Sequence, residues 1–76
     1  MSAGFIFNWV RTGMAGSIHV TQDLNVPGRN VAFSINSCSP GLRNFLLQRD
    51  IPPTPPVLVN FTILFRDGQL FAVNVG

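Results

Sequence analysis

The sequence predicts a mainly β domain: a small sandwich or open barrel of about five antiparallel strands, including two hairpins, with one short helix. Three observations predict it. The chain carries five Arg and three Asp but no Lys, Glu or Tyr. An average chain of this length would hold roughly nine Lys and Glu together. Those residues coat exposed helices, so a helical bundle is disfavoured. Residues 57–75 form two β-rich runs around Asp67-Gly68, a hairpin signature. Residues 18–24 and 30–36 alternate apolar and polar positions, the period of a strand with one buried face.

Taken in order, Phe5, Phe7 and Trp9 alternate with Ile6, Asn8 and Val10 as a first strand, which Gly13 and Gly16 are expected to end. Ile18–Leu24 and Asn30–Asn36 then form a hairpin through Pro27-Gly28. Pairing Val26 with Arg29 sets Leu24 opposite Val31, Gln22 opposite Phe33 and Val20 opposite Ile35. The other face holds His19, Thr21, Asp23, Ala32, Ser34 and Asn36, so one side is wet. Ser39-Pro40 supplies an N-cap and a proline at the first helical position, and Leu42, Phe45, Leu46 and Arg49 follow at helical spacing. A helix from Pro40 to Arg49 is expected. The run 51–56 (IPPTPP) is read as a stiff polyproline II spacer. Last comes the hairpin around Asp67-Gly68, whose two-residue loop pairs Arg66 with Gln69, Phe65 with Leu70, Leu64 with Phe71 and Ile63 with Ala72. One face carries Phe61, Ile63, Phe65, Leu70 and Ala72, the other Thr62, Leu64, Phe71 and Val73. Neither suits water, so this hairpin should lie in a core or face a partner.

At 76 residues the chain is read as a single domain, 1–76, with a marginal core. Domains this small are usually braced by disulfides, metal or association. Cys38 is the only cysteine, so no internal disulfide forms, and it is read as a small buried hydrophobe. One His, one Cys and three scattered Asp show no ligand spacing, so no metal and no cofactor are expected. Association remains. A hydrophobic share of 46%, with seven Phe and one Trp, favours it. Arg and aromatics are enriched at protein interfaces, while Lys and Glu are depleted there. Phe5, Phe7, Trp9, Phe65 and Phe71 are therefore the candidate interface residues.

The net charge of +2 comes from Arg at 11, 29, 43, 49 and 66, with no basic run to attract nucleic acid or a membrane surface. The N-terminus has no basic leader, and its apolar stretch from Phe5 to Val10 is too short for a signal or a transmembrane span. A cytoplasmic or virion location without secretion is expected.

Catalysis is not expected. His19 is the only candidate base, and Asp23 lies about 13 Å along the same strand face. Asp50 and Asp67 have turn chemistry as sufficient reason, and no phosphate loop or nucleophile elbow appears. Asn60-Phe61-Thr62 matches a glycosylation acceptor but falls within a strand. Pro52 and Pro55 have the spacing of an SH3 ligand, although a spacer explains them better. A second class of function is single-strand nucleic-acid binding, since OB-type modules stack bases on aromatics and track phosphates with Arg. Trp9-Val10-Arg11, Arg43-Asn44-Phe45 and Phe65-Arg66 offer that pairing.

Residues 13–20 (GMAGSIHV) and 29–36 (RNVAFSIN) resemble the early strands of galectins, and 61–74 (FTILFRDGQLFAVN) resembles their later hairpin. The resemblance implies a carbohydrate-binding β-sandwich. The family's sugar-binding segment of His, Asn, Arg, Trp and Glu has no counterpart here, so no site residue follows from it. The function expected from the residues is non-catalytic: a structural or accessory interaction protein, acting as a homo-oligomer or as a subunit of a larger assembly. The missing residue types also suit a viral or phage reading frame constrained by an overlapping gene.

Overall fold

A computed structural model describes residues 2–22, 29–48 and 57–76. Its elements are β1 (Ser2–Val10), β2 (Ala15–Gln22), β3 (Asn30–Ser34), a 3-10 turn (Ile35–Ser37), α1 (Pro40–Leu46), β4 (Val57–Arg66) and β5 (Gln69–Val73). The strands close into a barrel in the order β1-β2-β3-β5-β4, with β4 returning to pair with β1. A three-strand meander with the fourth strand beside the first is a Greek key.

Of the two expected alternatives the small barrel is the one formed, closed rather than open, and the sandwich is corrected. The closed ring also corrects the expectation of antiparallel pairing throughout. The pairs β1–β2, β2–β3, β1–β4 and β4–β5 are antiparallel, but β3 and β5 run parallel, with Ala32 opposite Phe71. Parity requires this. Five strands in a ring cannot alternate direction at every seam, so one neighbouring pair must point the same way.

The C-terminal hairpin has the register expected from its turn, from Arg66 opposite Gln69 to Ile63 opposite Ala72. Asp67 and Gly68 both take positive φ, 52° and 77°, as a type I′ turn requires. Phe61 and Ala72 point into the core, with Ile63 packed against it.

The β2–β3 pair forms, but its register differs from the expected one. Ile18 faces Val31 and Gly16 faces Phe33, where Leu24 and Gln22 were expected. The backbone N–H of Val20 donates to the Arg29 carbonyl at 2.9 Å, closing the ladder. The displacement is six residues along β2. An even slip keeps every side chain on its face, so alternation alone does not distinguish the two registers. Gly16 favours the observed one: a Cβ there would run into the Asn8 carbonyl and lie 2.9 Å from the Phe33 ring. Gly16 thus lies inside β2 and does not end β1. Pro27-Gly28, Leu24, Val26 and Asp23 lie outside the described residues, as do Arg49, Asp50 and the 51–56 spacer with Pro52 and Pro55.

β1 is longer than its alternating segment and carries register shifts at Ala3/Gly4 and Ile6/Asn8. The second shift adds a residue and reverses the inward parity. Ile6 points in, Phe7 and Asn8 point out, and Trp9 points in again. Phe5, Phe7 and Trp9 therefore do not share one face. The Trp9 indole N–H donates to the Leu46 carbonyl at 2.9 Å, and its ring stacks on Phe33 at 5.8 Å.

α1 starts where expected. Ser39 Oγ accepts from the Leu42 N–H at 3.4 Å, and Pro40 opens the first turn. It ends at Leu46, earlier than the expected limit of Arg49. Leu46 is buried in the core and Leu42 and Phe45 pack against it, so the predicted apolar stripe is the face that docks. No helix among the described residues is long and apolar enough to cross a membrane.

Candidate functional site

The barrel has two chemically distinct sides. On the first, β4, β1 and β2 lie side by side, and their sequences hold no Asp, Glu, Lys or Arg until Arg66 at the end of β4. Phe5 pairs with Leu58 of β4 on one flank and with His19 of β2 on the other. Leu58 is 80% exposed, the most open of the described large hydrophobics. The Phe5 ring lies 5.3 Å from the His19 ring, and His19 Nδ1 is 2.9 Å from Asn30 Oδ1. Phe7 extends this outer surface at 37% exposure. Together Leu58, Phe5, His19 and Asn30 make a strip across four strands.

The second side is the β3–β5 seam. One depression there is lined by Arg29, Asn30, Ala32, Phe65, Gln69 and Leu70 among others. A second, more apolar, is lined by Ala15, Ala32, Leu64, Arg66, Phe71 and Val73 among others. Ala32 belongs to both, so they adjoin along the seam. Phe65 is 69% exposed at the tip of the β4–β5 hairpin, where its strand face has run past the core. The hairpin expected to be apolar on both sides therefore buries one face and offers Leu64, Phe71 and Val73 on the other.

The five interface candidates thus divide. Phe5 and Phe7 lie on the first side, Phe65 and Phe71 on the second, and Trp9 is 1% exposed in the core. Leu58 was not singled out in the sequence. Its signal was present, as the outward residue of β4 between inward Val57 and Val59, but the run Val57-Leu58-Val59 reads as uniformly buried.

His19 sits in an aromatic and amide setting, with Asn30 and Phe5 as its neighbours. Cys38 is buried, as expected, and burial pushes its thiol up to about 11, with the nearby Arg43 charge opposing. Such a thiol stays protonated at neutral pH and is a poor nucleophile. Arg43 Nη2 donates to the Cys38 carbonyl at 3.2 Å, so that guanidinium is engaged at the helix. Asn60 lies within β4, exchanging backbone hydrogen bonds with Gly76 at 2.9 Å in both directions.

Compared with known proteins, the chain matches no family model, no curated protein and no solved structure.

Proposed function

We propose that this protein is a non-catalytic interaction module that works by self-association or as a subunit of a larger assembly. The observation that carries this reading is the amount of large apolar surface left outside a full barrel core. Leu58, Phe65, Met14, Val10, Leu64, Leu47 and Phe7 are all exposed, on a chain with no Lys or Glu to solvate them. Where such side chains adjoin, as Leu58 and Phe5 do across β4 and β1, exposed apolar surface marks association sites. Barrel closure leaves few free strand edges, so side-chain contact rather than strand addition would join the subunits.

A second reading has its own support. Five-stranded Greek-key barrels of the OB type bind oligonucleotides on the β2–β3 face and the surrounding loops. Arg11 lies in the β1–β2 turn, Arg29 precedes β3 and Arg66 precedes the β4–β5 turn. The β2–β3 outer face carries Ala15, Ser17, Ala32 and Ser34, with His19 as its one ring, so it offers bases little to stack on. That composition ranks this reading second.

Light scattering with and without a single-stranded oligonucleotide tests both. The expected result is a native mass that is a multiple of 8.3 kDa, unchanged by oligonucleotide at physiological salt. Submicromolar oligonucleotide binding, weakening with salt at a log–log slope of about −3 or steeper, would promote the second reading.

A further inference from the structure

We propose that the charge-free outer face of the β4–β1–β2 sheet is where a second copy of this chain docks, a proposal that rests on the self-association reading above. Charge distribution argues for this occupant. Of the described charged residues, Arg11 and Asp67 are in turns, Arg43 is on α1, Arg29 precedes β3 and Arg66 ends β4. None falls within β1, β2 or β4 up to Phe65. In a two-fold interface a patch meets its own copy, residue i against residue j and j against i, so a patch whose charges share one sign confronts like charge. Self-contact through the β3–β5 seam would bring the Arg29 and Arg66 patch against itself. Self-contact through the β4–β1–β2 face, up to Phe65 of β4, brings together no Asp, Glu, Lys or Arg.

The strip also has the anatomy of an interface. Apolar Leu58 and Phe5 lie at its centre, with Asn60, Thr62, Thr21 and Asn8 exposed around them, the apolar core and polar rim of association surfaces. It is partly organised in advance, with Phe5 against His19 and His19 against Asn30, so less side-chain freedom is lost on docking. A standard interface of roughly 800 Å² per partner would cover about a sixth of the chain's 4796 Å² of accessible surface.

The test is native mass by light scattering over 1–100 μM for the wild-type chain, Leu58→Arg, Asn60→Arg and Phe65→Arg. We expect a wild-type mass of twice 8.3 kDa. Leu58→Arg should weaken the dimer about 100-fold or more, because it buries an unpaired charge at the centre, and Asn60→Arg on the rim about 10-fold, while Phe65→Arg leaves it intact. Leu58 and Asn60 are exposed, so far-UV circular dichroism should stay that of the wild type; if one variant loses its fold, the other decides. A wild-type monomer at 100 μM overturns the self-association reading itself. A wild-type oligomer that survives both arginines on this face, or dissociates only with Phe65→Arg, overturns the docking face and leaves that reading standing.

Discussion

β1 is paired along its inner length to both β2 and β4, from Ala3 to Val10 on one flank and from Ser2 to Ile6 on the other. Across the barrel, β3 and β5 meet only at Ala32 opposite Phe71, with a further parallel bridge from Cys38 to Val75. The two sides differ in chemistry as they do in pairing. The well-paired side is uncharged and carries Phe5 and Leu58; the short seam has depressions bordered by Arg29 and Arg66. A ring closed by topology need not be equally firm around its circumference. The β1 ladders fix three strands, while the remaining seam is held by the Ala32–Phe71 and Cys38–Val75 bridges and the backbone hydrogen bonds of Val75 to Ser37 and Ser39.

The largest expected effect lies beneath β1. Trp9→Ala removes the ring stacked on Phe33 and the donor to the Leu46 carbonyl. Truncating a buried Trp costs about 3–5 kcal/mol, and domains of this size have little more than that to lose. Urea denaturation followed by circular dichroism should find the variant mostly unfolded. A cost no larger than that of Phe71→Ala on the seam would erase the distinction between the two sides.

A smaller effect is expected at the far tip of the seam. Gly68→Val forces a β-branched residue into φ near 77°, at a cost of about 1–3 kcal/mol. Hydrogen exchange should show β5 amides losing protection before those of β1. Uniform loss around the ring would mean that the seam opens only with global unfolding.

The smallest effect is a pH dependence at the Cys38–Val75 bridge. The Cys38 thiol is raised from an ordinary 9.0 to about 11 by burial, against the lowering effect of Arg43. Between those values the unfolded chain gives up the proton first, so stability is intact below pH 9 and falls as pH rises toward 11. The loss should reach about 1.4 kcal/mol at pH 10. Chemical denaturation at pH 7 and pH 10 should show this extra loss in the wild type and its absence in Cys38→Ala. An equal loss in both would assign it to other groups.

Much of the strand content was legible in the sequence, and the reasons are local. Asp67-Gly68 specified its turn and the ladder beyond it, and Ser39-Pro40 specified the start of α1. The β2–β3 register was not legible, because a six-residue slip preserves alternation and the deciding contact, Gly16 beneath Phe33, is long-range. The inward turn of Trp9 was hidden by an extra residue in β1 that no period reveals. Return of β4 to β1 is a property of the whole ring, and no single segment encodes it. Of the candidate surface residues, Phe5, Phe7, Phe65 and Phe71 reach the outside, while Leu58 was concealed by its apolar neighbours.

Parity has one last consequence. Because the odd seam is also the short one, parting Ala32 from Phe71 and Cys38 from Val75 would leave the other four ladders intact and open the barrel into a ribbon ordered β3-β2-β1-β4-β5. That ribbon has two bare margins, each offering unsatisfied backbone groups to any passing strand. Opening the seam would then expose both those margins and the core residues Val31, Phe33 and Ala72 that the ring now encloses.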